Sequence, residues 1–100
     1  MTRKENYDFS NLVNETEELV FEELEYQLDQ DWTENICRCE DCLLDMAALS
    51  LNSLEPRYRV SLLGSLYASA LHDDEQAREE VRQAVIQAIS KIHENPAHNR

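Results

Sequence analysis

The stretch Cys37-Arg38-Cys39-Glu40-Asp41-Cys42-Leu43-Leu44-Asp45-Met46-Ala47-Ala48-Leu49-Ser50-Leu51 decides how this chain is read. All three cysteines of the protein fall in its first six residues, and an apolar run follows at once. Cysteines that merely fill a core have no reason to gather at one turn, whereas thiols this close can share a metal ion or act as a redox switch. Leu43, Leu44, Met46, Ala47, Leu49 and Leu51 cover much of a helix circumference, so a helix opening near Cys39 is expected to be central. It should stop at Asn52-Ser53-Leu54-Glu55-Pro56, because the residue before a proline is pushed out of helical geometry.

Upstream, Leu12, Val13, Val20, Phe21, Leu24 and Leu28 recur at helical spacings, with Glu15, Glu17, Glu18, Glu22, Glu23 and Glu25 on the other face. This predicts an amphipathic helix over about residues 10–30, capped by Ser10 or Asn11, its early acids favoured by the positive end of the helix dipole. Residues 29–35 read as a loop in which Trp32 packs over the core edge. Downstream, Pro56-Arg57-Tyr58-Arg59-Val60 reads as extended, and the segment to Leu71, split by the only glycine, Gly64, as an irregular connection or short helix. Asp73 or Asp74 can cap a last helix whose Val81, Ala84, Val85, Ala88, Ile89 and Ile92 share one face, ended by Asn95-Pro96. The expectation is an all-α single domain of three main helices plus short connecting elements, with residues 1–10 as an N-terminal tail and 11–98 as the helical domain. So small a core can be enlarged by dimerisation.

Twenty-one acidic residues against nine basic ones give a formal charge of −12. That field repels nucleic acid and acidic membrane surfaces, which disfavours generic DNA or RNA binding. The polar start of the chain leads into no apolar signal segment, and no stretch approaches a membrane span, so a cytoplasmic location is expected. Three cysteines cannot all pair within one chain, and a reducing cytosol opposes disulfides, so thiols are the expected state.

With Cys39 opening the helix, Cys42 lies on the same face, and Cys37 can fold back from the preceding turn to join them. The bland alternative is that one or two of these cysteines are small buried residues and the third is incidental. The sharper one is zinc held by Cys37, Cys39 and Cys42 as a structural clip. Zinc favours four ligands, and the fourth, from His72, His93, His98, a carboxylate, water or a second chain, is not singled out. Redox sensing or catalysis is the third reading. No histidine lies near the cysteines in sequence to act as a base, and no constellation of acid, base and nucleophile is legible, so the chain reads as non-enzymatic. His72 and His93 read as helix-end residues, and His98 as part of a tail beyond a proline turn.

Arg57 and Arg59 flank Tyr58, and in an extended segment the two arginines point to one side. Guanidinium groups bind phosphate or a guanine edge bidentately and stack on purines, so the turn can clamp a small anion even on an acidic protein. Against this stands simple salt bridging, since an arginine in so acidic a chain finds a carboxylate easily.

Glu18-Leu19-Val20 in an acidic first helix, Cys39-Glu40-Asp41-Cys42 with Asp45 and Ala47-Ala48-Leu49, and Leu51-Asn52-Ser53-Leu54-Glu55-Pro56-Arg57-Tyr58 together resemble the late competence protein ComFB family. Gly64-Ser65-Leu66-Tyr67, the Val81 to Ile92 helix and Asn95-Pro96-Ala97-His98 extend the likeness over about residues 11–98. The resemblance implies a small, mostly helical, homodimeric bacterial regulator without known catalytic activity. Some members bind zinc and others cyclic dinucleotides such as cyclic di-GMP. Family zinc ligands would map onto Cys37, Cys39 and Cys42; where a relative supplies another cysteine, this chain has none. The leading expectation is a dimer that binds cyclic di-GMP or cyclic di-AMP through Arg57, Tyr58 and Arg59 and signals to a protein partner. The alternative is a zinc-stabilised interaction module of the competence system with no small ligand.

Overall fold

The computed structural model describes residues 6–60 and 73–96. Among the described residues three helices form the body: α1 (Glu15–Leu28), α2 (Glu40–Asn52) and α3 (Glu75–Glu94). A short 3-10 turn, Asp31–Thr33, lies between α1 and α2. Two three-residue strands, β1 (Leu12–Asn14) and β2 (Tyr58–Val60), pair antiparallel with Leu12 opposite Val60, Val13 opposite Arg59 and Asn14 opposite Tyr58. The all-α expectation therefore holds for the body of the fold and misses this ribbon. The segment between residues 61 and 71 expected as an irregular connection lies outside the described residues, as do His72 and His98.

The first helix starts later than its periodicity suggests. Asn14, not Ser10 or Asn11, is the cap: its Oδ1 accepts from Thr16 N–H at 3.1 Å and from Arg57 N–H at 2.7 Å. One amide thus ends β1, begins α1 and holds the chain entering β2. Leu12 and Val13 fit the helical spacing but lie in β1 instead, because a ladder partner from residues 58–60 satisfies their backbone groups. Thr16 adds a second tie, its hydroxyl donating to the Glu55 carbonyl at 2.8 Å.

α2 begins after Cys39 as expected, and its C-cap is Ser53, just short of Pro56. It is not the central helix, however. Its buried residues are only Cys42, Met46 and Ser50, while Leu44 is 62% exposed. The Ser50 hydroxyl lies inside the fold because it donates to the Met46 carbonyl one turn back, at 2.8 Å. α3 is the element against which both other helices pack most extensively. Asp74 caps it by accepting from Gln76 and Ala77 N–H groups, and Ala77, Val81, Val85, Ala88, Ile89 and Ile92 form its buried stripe. Lys91 and His93 occupy its last turn, where positive charge suits the dipole. The core joins that stripe to Leu19, Val20 and Leu24 of α1, Ile36, and Cys42 and Met46 of α2.

Trp32 lies over the end of α1 but remains 45% exposed. Its indole N–H donates to Gln27 Oε1 at 2.9 Å, and Gln27 also donates to Glu23. Beside it, buried Thr33 donates to the Gln27 and Gln30 carbonyls, closing α1 onto the 3-10 turn.

Ile89 is fully buried at the meeting of the helices. Ile89→Ala should lower the unfolding free energy by about 2–5 kcal/mol, measured by urea titration, because a small core collapses only partly around the cavity. Asn14→Ala should cost on the order of 1 kcal/mol from the cap alone.

Candidate functional site

Two groups of chemically able side chains stand at opposite ends of the α1–α2 pair. The first is the cysteine cluster. Cys39 is the N-cap of α2, and its Sγ accepts the Cys42 N–H at 3.4 Å. That contact is the main influence holding the Cys39 thiol below the ordinary cysteine range; partial desolvation opposes it, and further contacts with Cys42, Cys37 and Asp41 assist it. Cys42 is buried, whereas Cys37 and Cys39 are half-buried and pack against the core. All three sulfurs lie within 4.8 Å of one another, so the turn before α2 does fold Cys37 back onto the pair.

Arg38 explains how that turn is held. Its guanidinium donates to the Leu28 carbonyl at the end of α1 and reaches the Thr33 carbonyl at 3.4 Å. The side chain satisfies the Leu28 carbonyl at the C-terminus of α1, where a cation is favoured by the dipole as well.

The donor set suits zinc. A tetrahedral ion with Zn–S bonds near 2.3 Å places its sulfurs about 3.8 Å apart, so small side-chain rotations close the observed spread. Among the described residues no fourth histidine, cysteine or carboxylate joins the group, and His93 is not a member. Three cysteines that can hold a metal ion are what the fold provides.

The second group surrounds Arg57. A polar groove of about 610 Å³ runs between the segment after α2 and the outer face of α3, lined among others by Ser53, Glu55, Arg57, Glu79, Glu80 and Gln83. Its size is within the range of small-molecule sites. Of the three ligand residues expected from sequence, only Arg57 lines it. Tyr58 is 63% exposed, on the ribbon face that also carries Leu12 and Val60. Arg59 is taken up elsewhere: its Nε donates to Glu15 Oε1 in a largely buried ion pair. The expected clamp of two open guanidiniums is thus one open arginine beside one that braces the turn.

Glu15 is the anchor of the arginine turn that the sequence conceals. It reads as one more acid on a solvated face, yet only 2% of it is exposed, and Oε2 has no hydrogen-bond partner among the described residues. Its backbone N–H donates to the Arg57 carbonyl at 2.8 Å, so both ends of the residue grip the arginine turn. The only sequence signal is position: it directly follows the residue that caps the helix. The glutamines of α3 likewise give no signal, being neither periodic apolar nor charged.

The profile of the family described as "Late competence development protein ComFB" matches residues 13–96. Among solved structures, the chain is similar to the late competence protein ComFB from Bacillus subtilis, with 29% identity and a TM-score of 0.69 over 85% of this chain and 93% of that one. No curated protein matches it.

Breaking the Glu15–Arg59 pair from either side leaves a desolvated charge without its partner. Arg59→Ala and Glu15→Ala should each destabilise the fold by about 3 kcal/mol, whereas replacing both with apolar residues of similar volume should cost clearly less. Paired urea titrations of the two single variants and the double variant measure the coupling.

Proposed function

This chain belongs to the late competence development protein ComFB family, and from that membership we propose a non-enzymatic bacterial regulator that binds a cyclic dinucleotide as a homodimer and acts through a protein partner. The observation that carries the ligand reading is Arg57, exposed at the mouth of a polar groove of nucleotide-compatible size. Its guanidinium suits a phosphate or the O6/N7 edge of guanine. Glu55, Glu79 and Glu80 in the same groove oppose a bare dianion but are acceptors for the N–H donors on guanine's pairing edge. This favours cyclic di-GMP over cyclic di-AMP. Tyr58 offers an exposed ring for stacking on a base, and Arg59, through Glu15, holds the turn that presents both. Leu12, Tyr58 and Val60, all exposed on one ribbon face, support association with a second copy.

The family is not a known enzyme family, and among the described residues the only group of metal-ligating side chains is the cysteine cluster. Among the described residues no helix is long and apolar enough to cross a membrane.

Isothermal titration with both dinucleotides tests the receptor reading. Cyclic di-GMP should bind at about tens of micromolar or tighter; absence of heat and of thermal stabilisation with either dinucleotide overturns it. Arg57→Ala should abolish binding with the helical circular dichroism unchanged.

The second reading, a zinc-stabilised interaction module, is favoured by the convergence of three sulfurs. Protein purified without a histidine tag should carry close to one zinc per chain, and chelator should lower its melting temperature. Substoichiometric zinc with no effect of chelator rejects it.

A further inference from the structure

We propose that Cys39 and Cys42 form a redox pair, with Cys39 the entry point for oxidation and Cys42 the resolving thiol, and Cys37 left out of the bridge. The pair has the Cys-x-x-Cys spacing across a helix N-terminus, its first member at the N-cap and its second inside the first turn. Exposure divides the roles. Half-buried Cys39 can meet a small oxidant, whereas Cys42, 1% exposed, is screened from it. Their sulfurs lie within 4.8 Å, and the Cys42 N–H already points at Cys39 Sγ. Rotation between side-chain wells therefore brings the sulfurs together with α2 intact. Cys37 is also close, but a Cys37–Cys39 bridge would span a single intervening residue, Arg38, whose side chain is anchored to Leu28 and Thr33.

Hydrogen peroxide is the oxidant. The Cys39 thiolate attacks a peroxide oxygen; the S–O bond forms, the O–O bond breaks, and hydroxide leaves, so that sulfur is oxidised to sulfenic acid and peroxide is reduced. Cys42 sulfur then attacks Cys39 sulfur; the S–S bond forms, the S–O bond breaks, and water departs with the proton of Cys42. The bridge removes two of the three sulfur donors from the cluster. This chemistry is independent of the arginine turn and survives failure of the nucleotide reading.

The sequence supplies the assay, because trypsin cuts after Arg38, between Cys37 and Cys39. Residues 5–38 form one peptide and residues 39–57 the next, with no internal lysine or arginine in either. Reduced protein treated with a modest excess of hydrogen peroxide, alkylated and digested should give peptide 39–57 lighter by two hydrogens and unalkylated, and peptide 5–38 alkylated at Cys37. Dithiothreitol should reverse the change. Cys37→Ser should still form the bridge, whereas Cys42→Ser should not and should let dimedone label Cys39. Protein unfolded in guanidinium should lose the selectivity, which separates the folded geometry from mere proximity in sequence. A cross-link between the two peptides, a bridge between chains, or sulfinic acid at Cys39 without any bridge would overturn the proposal. Peptide mapping of the wild-type chain distinguishes these outcomes even if Cys42→Ser fails to fold.

Discussion

The buried ion pair between Glu15 and Arg59 is the constraint on which the arrangement of the fold depends. Glu15 is the first residue of α1 and Arg59 the middle of β2, so one contact locks the start of the first helix to the strand that follows the second. A desolvated carboxylate is costly, and two features offset that cost here: the guanidinium, and the positive end of the helix on which Glu15 sits. Such a pair adds little net stability over an apolar substitute, but losing either partner leaves a desolvated charge. Asn14 reinforces the link by accepting from Thr16 and Arg57 together. Those contacts hold the backbone of Arg57, which lines the groove against α3.

The other end of α1 is organised by a different cation. Arg38 sits on the Leu28 carbonyl and draws the chain back so that Cys37 approaches Cys39 and Cys42. Because α1 is 14 residues long, the cysteine cluster and the arginine turn are separated by about 20 Å of helix. α2 runs antiparallel between the same two ends, from Cys39 to the Ser53–Glu55 wall of the groove. The sulfur cluster and the groove therefore lie at opposite ends of α2 without sharing a residue.

Much of this is legible in the residues. The capping aspartate and apolar stripe of α3, the stop before Pro56 and the start of α2 at Cys39 follow from local chemistry, and the structure has them where spacing puts them. The beginning of α1 is not legible, because Leu12 and Val13 satisfy a helical period and only a distant strand makes them extended. The many leucines of α2 suggest a central helix, yet apolar content does not say which face a neighbour covers; Leu44 stays exposed. Of the candidate ligand residues, the cysteines converge as their spacing implies, whereas the arginines separate into an open one and a braced one. Arginine looks the same in sequence whichever carboxylate it meets.

The helices, the crowding of three thiols at one helix start and the family to which the chain belongs are all written in the order of the residues, since each depends on neighbours close along the chain. The burial of Glu15, its pairing with Arg59, the end of a strand at Asn14 and the turn of Arg57 toward a groove arise only when the chain is folded. The ties of Asn14 and Glu15 to the arginine turn join residues more than forty positions apart, where burial and charge pairing depend on which surfaces meet.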